Sequence, residues 1–323
     1  MKKTLATTKL GLIAISISLV SGLTAAAIPS ELKLDYAYYA PTSLVVKEQK
    51  LLEKALPKTK IKWVFSQGSN RSLEYLNSGS TDFASTAGLA AVLSRANGSP
   101  IKTVYVQSQP EWTALVVNKD SNIKSLKDLK GKKIAATKGT DPFLFTLQAL
   151  DTVGLGKRDV ELVHLQHPDG KTALERKQVD AWAGLDPLMA SAQVQSGAKL
   201  LYRNVGFNSY SVLSIKENFA KQSPEAVDAV IKVYEQARKW AKANPDKLAE
   251  LLAREAKLPI EVAKLQLSRT NLDQNIPTAK HIAALQKAGS ILTEEDLVRK
   301  GTNVNQVVTQ LFDSKCAQKV VKK

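Results

Sequence analysis

The chain is poor in the residues on which most enzymes and disulfide-stabilised proteins depend. It has 323 residues, one cysteine (Cys316) and three histidines, at positions 164, 167 and 281. A single cysteine excludes an intramolecular disulfide, and no cysteine cluster accompanies the histidines. A Walker loop, a GxSxG elbow and an HExxH element are also missing. We therefore expect no catalytic residue, no metal and no cofactor, and we expect stability to come from a hydrophobic core.

Blocks of basic residues are missing as well, although the formal net charge is +16. Lysine and arginine alternate with acidic residues on the predicted helix faces, which is typical of a solvated surface. Nucleic acid is therefore not an expected partner. The positive charge would attract anions only as a secondary effect that salt screens.

A pronounced apolar run occurs only near the start of the chain. Lys2, Lys3 and Lys9 precede the apolar run at residues 10–23, and three alanines follow it at residues 25–27. This order predicts a secretory signal peptide at residues 1–27, cleaved after Ala27. The run is short for a membrane span, so an uncleaved anchor is the weaker alternative.

From residue 32 onward, short apolar strands alternate with amphipathic helices. The predicted strands lie at residues 32–36, 61–65, 82–85, 101–106, 113–117, 134–136, 160–165, 181–183 and 211–215. The predicted helices between them include residues 43–56, 69–76 and 88–96, and almost everything after residue 224 is predicted to be helical. This rhythm predicts an α/β protein whose parallel-type sheets are flanked by helices.

The rhythm is interrupted by two extended crossings, which predict two lobes joined by a hinge. The first lobe would contain residues 28–111 plus 214–323, and the second lobe residues 112–213. In open α/β sheets, ligands bind beyond the carboxyl ends of the strands. With two facing lobes, that place is the interdomain cleft.

Four predicted strand-to-helix junctions are rich in small polar residues and lie at 67–70, 85–88, 138–142 and 167–171. Each begins a helix, whose first N–H groups are unpaired and whose dipole end is positive. Such a start can hold an oxyanion, although each junction taken alone is also a plausible helix cap. Because all four converge on one cleft, we predict an anion site there. The candidate contacts are Gly68, Ser69, Asn70, Ser85, Thr86, Ala87, Gly139, Thr140 and Asp141.

Aromatic residues occur at the same strand ends and crossings. Tyr38 and Tyr39 follow the first strand, Trp112 opens the first crossing and Tyr210 opens the second. We expect them to form an apolar wall for the ligand, with one of the two adjacent tyrosines facing the cleft. Asp186 precedes a proline and suits a helix cap; alternatively, it pairs with a ligand ammonium or hydroxyl group.

Three segments carry a family resemblance: residues 73–88, residues 125–140, and residues 179–187 with the Asp-Pro pair at their end. In their order and spacing they resemble the aliphatic-sulfonate-binding proteins of ABC importers, within a wider group that binds taurine, nitrate and thiamine precursors. The resemblance implies a monomeric periplasmic solute-binding protein with a hinged two-lobe fold of type II. It would deliver a small organic anion, a sulfonate, to a membrane permease.

The same resemblance places anion contacts at three pairs of residues, Gly68 and Ser69, Ser85 and Thr86, and Gly139 and Thr140. Two positions depart from the family pattern. Leu185 stands where relatives often have an aromatic residue, and residues 138–142 differ from the usual serine-rich loop. Nitrate and thiamine precursors therefore remain alternative ligands.

Two further classes of function remain open on the same scaffold. A sulfinate-processing enzyme would need a cysteine in the cleft, and Cys316 lies far along the terminal helices. A sensory lobe that presents its ligand to a receptor would have no sequence motif of its own.

Overall fold

The computed structural model describes residues 28–321, so the predicted signal peptide lies outside the described residues. The chain forms two β-sheets flanked by helices. The strands of the first sheet are β1 (Glu31–Tyr36), β2 (Lys60–Phe65), β3 (Phe83–Ala87), β4 (Ile101–Pro110), β10 (Ser211–Lys216) and β11 (Thr270–Asn271). The strands of the second sheet are β5 (Leu115–Val117), β6 (Lys133–Ala135), β7 (Glu161–Val163), β8 (Ala181–Ala183) and β9 (Lys199–Tyr202).

The helices follow the strands closely along the chain. Those before the second crossing are α1 (Pro41–Glu48), α2 (Leu51–Ala55), α3 (Ser69–Ser78), α4 (Gly88–Ala96), α5 (Asp141–Asp151), α6 (His167–Glu175) and α7 (Leu188–Ser196). The later ones are α8 (Glu217–Gln222), α9 (Pro224–Ala243), α10 (Pro245–Ala256), α11 (Ile260–Ser268), α12 (Ala279–Glu294), α13 (Val304–Leu311) and α14 (Lys315–Val321).

Each sheet combines parallel strands with antiparallel connecting strands. The strand order is β11-β4-β10-β3-β1-β2 in the first sheet and β7-β6-β8-β5-β9 in the second. Strand β1 is parallel to β2 and β3, and β6 is parallel to β7 and β8, as the βαβ rhythm predicts. Strands β10 and β5 run antiparallel to their neighbours because they carry the chain into one lobe from the other.

The core lies on both faces of the first sheet. Leu32 and Leu34 of β1 pack with α1 and α9 on one face. On the other, an apolar cluster extends from α4 through α12 and α13 to α5 of the second sheet's lobe. Strands β3, β5 and β8 are buried along their whole length, and buried side chains recur along the helices, so hydrophobic burial selects these elements.

Three local features differ from the sequence expectation. The helix predicted at 43–56 is broken at Lys50, which adopts a left-handed conformation (φ 51°) between α1 and α2. Strand β9 was not predicted. Strand β3 continues to Ala87, so Ser85, Thr86 and Ala87 are strand residues and α4 begins directly at Gly88. Strand β10, in contrast, was predicted at residues 211–215, and the predicted lobe boundary at 213/214 falls inside it.

Candidate functional site

A pocket of about 240 Å³ lies between the two lobes. Its first-lobe wall is formed where β1 and β2 end and at the end of α10, and its second-lobe wall where α6 and α7 begin. The lining residues are Tyr38, Tyr39, Phe65, Ser66, Gln67, His167, Pro168, Leu185, Asp186, Pro187, Leu188, Ala256 and Leu258. The pocket is therefore at the carboxyl ends of the strands, where open α/β sheets bind their ligands.

Helices from both lobes begin at this pocket. Helix α6 begins at His167 and α7 begins at Leu188, and both residues line the pocket. Helix α3 begins at Ser69, two residues after the lining residue Gln67. The first N–H groups of a helix have no partner within the helix, and its amino end carries partial positive charge. None of the described lining residues is lysine or arginine, so the lining itself offers positive potential only through these helix starts.

The first-lobe wall is aromatic. The Tyr38 and Phe65 rings are 4.6 Å apart, and the Tyr38 hydroxyl donates to the Glu255 carbonyl at 2.9 Å. The Tyr39 hydroxyl donates to the Ser85 carbonyl at 2.8 Å. Both tyrosines line the pocket because the chain turns between Ala37 and Ala40, so the strand alternation assumed from the sequence does not extend to them.

His167 is completely buried and lines the pocket. Its Nδ1 lies 3.1 Å from the Thr137 hydroxyl oxygen, while that hydroxyl donates to the Leu165 carbonyl at 2.7 Å. Its Nε2 has no partner. Burial lowers the pKa of His167 to about 3, so the ring is neutral near pH 7. The sequence analysis placed His167 in one of the four predicted junctions but did not name its side chain among the candidate contacts.

Asp186 lines the pocket from the second lobe and is almost fully buried. Its Oδ1 accepts from the Ala190 amide at 3.0 Å, inside the first turn of α7, and from Arg269 Nη2 of the first lobe at 2.9 Å. Its Oδ2 has no partner. Burial raises the pKa of Asp186 to about 6, while the Arg269 charge acts in the opposite direction. The carboxylate thus combines the predicted capping contact with an ion pair between the lobes, which the sequence did not indicate.

Gly68, Ser69 and Asn70 lie beside the pocket, against the second lobe. A Cβ atom on Gly68 would come within 2.7 Å of His167 Nε2, so only glycine fits this approach. The Asn70 side chain is next to Gly139, and its amide is 3.5 Å from Gln166 Oε1. The structure therefore brings the predicted junctions at α3, α5 and α6 together across the cleft.

The junction at α4 is arranged differently. The Gly88 amide donates to the Tyr210 carbonyl at 2.8 Å, and the Leu89 amide donates to the Ser209 hydroxyl at 3.1 Å. The Ala87 amide donates to the Ser69 hydroxyl at 2.9 Å. Thr86 contacts Ser214 within the first sheet. These amides are consequently paired within the protein, and Ser85, Thr86 and Ala87 are not among the lining residues.

Asp141 ties the two crossings to α5. Its Oδ2 accepts from Trp112 Nε1 at 2.9 Å and from the Ser209 amide at 2.8 Å, and its Oδ1 accepts from the Ser209 hydroxyl at 2.7 Å. The Thr140 hydroxyl donates to the Thr137 carbonyl at 2.6 Å. Trp112 packs edge-on against Tyr39, and Tyr210 packs against His281. None of these four predicted residues lines the pocket: Trp112 and Tyr210 lie in the crossings, and Thr140 and Asp141 lie at the start of α5.

A second buried carboxyl group, Asp35, lies at the end of β1. Its Oδ1 accepts from the Ser85 amide at 2.7 Å, and its Oδ2 accepts from the Ser72 hydroxyl at 2.5 Å. Burial raises the pKa of Asp35 to about 6 against the effect of these hydrogen bonds. The group thereby fixes β3 and α3 relative to β1.

The structure of residues 28–321 also bears on the cysteine, on a possible metal site and on a possible membrane span. Cys316 is partly buried in α14 and does not line the pocket. No group of three or more His, Cys, Asp or Glu side chains in this range could hold a metal ion. In the same range, no helix has both the length and the apolar character needed to cross a membrane.

The chain matches one protein family model and is similar in sequence to two proteins that share one description. The family model described as NMT1/THI5 like matches residues 60–248, more than half of the chain. A protein of Escherichia coli (strain K12) described as an aliphatic sulfonates-binding protein is 28% identical over 285 residues, covering 87% of this chain and 89% of its own. One of Bacillus subtilis (strain 168) with the same description is 29% identical over 280 residues, covering 85% and 84%.

Comparison with solved structures shows the same fold. The alkanesulfonate-binding protein SsuA from Xanthomonas axonopodis pv. citri, bound to MOPS, has a TM-score of 0.82 and 26% identity, covering 89% of this chain and 99% of that one. The desulfurization enzyme DSZB has a TM-score of 0.66 at 16% identity, covering 91% of this chain and 99% of that one. The two-lobe fold of periplasmic binding proteins is therefore shared, and the two similar sequences from Escherichia coli and Bacillus subtilis are those of binding proteins.

Proposed function

We propose that this chain, which belongs to the NMT1/THI5 like family, is the exported solute-binding subunit of an ABC importer and captures an aliphatic sulfonate. The observation that carries the proposal is the interlobe pocket at which α6 and α7 begin, with α3 beginning beside it. Helix starts stabilise an oxyanion without a catalytic step. The similarity to sulfonate-binding relatives supports the same ligand class.

The shape of the pocket suits an anion that carries an apolar body. Tyr38, Phe65 and Leu258 provide the apolar first-lobe surface, and Leu185 and Leu188 face them from the second lobe. Nitrate is the weaker candidate because it has no apolar part to bury against these walls. A micromolar affinity corresponds to about 8 kcal/mol, which a few amide donors and one aromatic wall can supply.

Binding would proceed by closure of the two lobes on the ligand. The walls belong to different lobes, so a ligand in the pocket contacts both and favours the closed state. A closed monomer in the periplasm would then dock on the permease of the importer. The enzyme alternative is disfavoured because no lining residue is a cysteine that could act as nucleophile.

Thermal unfolding of purified residues 28–323 tests the proposal. Linear alkanesulfonates, taurine, sulfate and nitrate would be added separately, with alkylammonium ions of matched chain length as controls. We expect sulfonates to raise Tm, since a ligand at about one hundred times its Kd adds about 2.7 kcal/mol to the free energy of unfolding. The controls should leave Tm unchanged. A panel in which no sulfonate raises Tm would contradict the proposed function.

A further inference from the structure

Besides the Ser66 hydroxyl, two buried hydrogen-bond acceptors that belong to pocket-lining residues have no partner. They are His167 Nε2 and Asp186 Oδ2, on side chains that are 0% and 2% exposed. Buried polar groups are nearly always paired, and an unpaired one costs about 1–3 kcal/mol. Both atoms belong to the second lobe, at the starts of α6 and α7.

The hydrogen bonds around Thr137 determine the role of His167. The Thr137 hydroxyl has one proton, and it donates that proton to the Leu165 carbonyl, which is its shorter contact at 2.7 Å. The contact of 3.1 Å to His167 Nδ1 must then be an N–H donated by the ring. In the neutral ring, Nε2 therefore presents a lone pair and accepts hydrogen bonds.

Asp186 also presents an acceptor, and its charge is balanced. Arg269 pairs with Oδ1 at 2.9 Å, so the free oxygen Oδ2 belongs to a carboxylate already neutralised by a cation. The pocket consequently combines the positive ends of helices with two acceptors that can each bind a hydrogen-bond donor. An apolar ligand body in contact with these acceptors would leave both of them unpaired.

We propose that the pocket selects sulfonates whose carbon chain carries a hydrogen-bond donor, a hydroxyl or an amine, and that His167 Nε2 is the specificity-determining acceptor for it. The inference rests on the proposed function and narrows its ligand class. The sulfonate is held at the start of α3 in the first lobe, and the donor at the other end of the ligand pairs with His167 at the start of α6 in the second lobe. Asp186 Oδ2 provides a second acceptor for an amine, which has more than one proton to donate.

Three ligands of nearly equal size test this selection by isothermal titration calorimetry. Isethionate, taurine and propanesulfonate share a sulfonate on a two-carbon chain and end in a hydroxyl, an ammonium and a methyl group, respectively. We expect isethionate or taurine to bind at least about tenfold more tightly than propanesulfonate, because only they satisfy the buried acceptors. The order of isethionate and taurine tells which donor the pocket prefers.

The substitution His167→Leu should reduce this preference to about twofold or less while propanesulfonate still binds. His164→Leu is the matched control, since His164 is exposed and lies outside the pocket. Nitrogen NMR of the histidine rings in the unsubstituted protein is an independent readout. The His167 Nε2 resonance should remain that of an unprotonated nitrogen and move when isethionate is added.

The outcomes separate the two proposals. If propanesulfonate binds as tightly as isethionate and taurine, the selection by His167 is wrong and the sulfonate-binding function stands. The same conclusion follows if His167→Leu keeps the full preference, or if the His167 Nε2 resonance does not respond to isethionate. If none of the three ligands binds, the proposed function fails, and the selection fails with it.

Discussion

Asp35 illustrates how a single buried carboxyl group links the fold to pH. It lies at the end of β1, fully buried, and holds the Ser85 amide and the Ser72 hydroxyl. Burial raises its pKa to about 6 from the ordinary value of 3.8. The folded protein therefore keeps the Asp35 proton over a pH range in which the unfolded chain has released it.

The sign of the effect on stability follows from proton linkage. Between the two pKa values the folded state binds more protons, so the contribution of Asp35 to the free energy of unfolding falls as pH rises through this window. Asparagine cannot ionise, so the free energy of unfolding of Asp35→Asn should not fall in this way. We expect the difference in free energy of unfolding, variant minus wild type, to increase by an amount on the order of 2–3 kcal/mol from about pH 4 to about pH 7.

Urea unfolding of both proteins across this pH range measures the difference. Asp120→Asn is the control, because Asp120 is exposed and its substitution should give a nearly pH-independent difference. A difference between wild type and Asp35→Asn that does not change with pH would show that folding does not raise the pKa of Asp35.

At the scale of elements, the two crossings are held to α5 by one carboxylate. Asp141 is the first residue of α5 and accepts from Trp112 in the first crossing and from Ser209 in the second. Burial raises the pKa of Asp141, while these three hydrogen bonds oppose the shift. The position predicted as an anion contact thus joins the segments that connect the lobes.

We expect Asp141→Asn to lower the free energy of unfolding by about 1–3 kcal/mol. The asparagine NH2 group cannot accept the hydrogen bond that the Ser209 hydroxyl donates to Oδ1, so this bond is lost or reversed, and the remaining bonds no longer end on a charged acceptor. Asp151→Asn, at the exposed end of the same helix, is the matched control. Equal Tm values for the two variants would contradict the role assigned to Asp141.

The sequence predicted the elements better than the contacts between them. Apolar periodicity located β8 and α4 at their observed limits, and Gly79 ends α3 with a positive φ. The break at Lys50 was missed because nothing in the apolar spacing of 43–56 marks a left-handed residue. Strand β9 was missed because its residues are only partly buried.

For the candidate site, the sequence likewise predicted the location and several lining residues but not the contacts between distant residues. Strand ends and helix starts indicated the cleft, and Tyr38, Tyr39 and Asp186 line the pocket. The pairing of Asp186 with Arg269 joins residues 83 positions apart, and that of Asp141 with Ser209 joins residues 68 apart. No local pattern reports such pairs, so a capping carboxylate and an ion-paired one look alike in the sequence.

At the scale of the whole molecule, the lobes are joined by a buried ion pair beside the pocket. Arg269 at the end of α11 and Asp186 before α7 are 7% and 1% exposed at their side chains. A second pair between the lobes, Arg203 with Glu111, lies at the surface. Because a surface pair is screened by water, the two pairs should differ strongly in their contribution.

We expect Arg269→Met to destabilise the protein by about 3 kcal/mol or more and to weaken ligand binding, because it leaves the buried Asp186 carboxylate unpaired. Arg203→Met, the matched control, should change the free energy of unfolding by less than about 1 kcal/mol. Denaturant unfolding and calorimetry with a bound sulfonate measure both effects. A small loss for Arg269→Met would mean that the carboxylate is protonated or hydrated without its partner.

The position of β10 between β3 and β4 has a consequence for how the molecule is assembled during synthesis. A nascent chain that ends after β4 contains four strands of the first sheet but not the one that joins β3 to β4. Strand β10 emerges about one hundred residues later, after the whole second sheet. Pairing across such a distance is slow because loop closure precedes any gain from contact. The amino-terminal half should therefore stay incompletely folded on the ribosome, which is the state that the proposed export through a translocation channel would require.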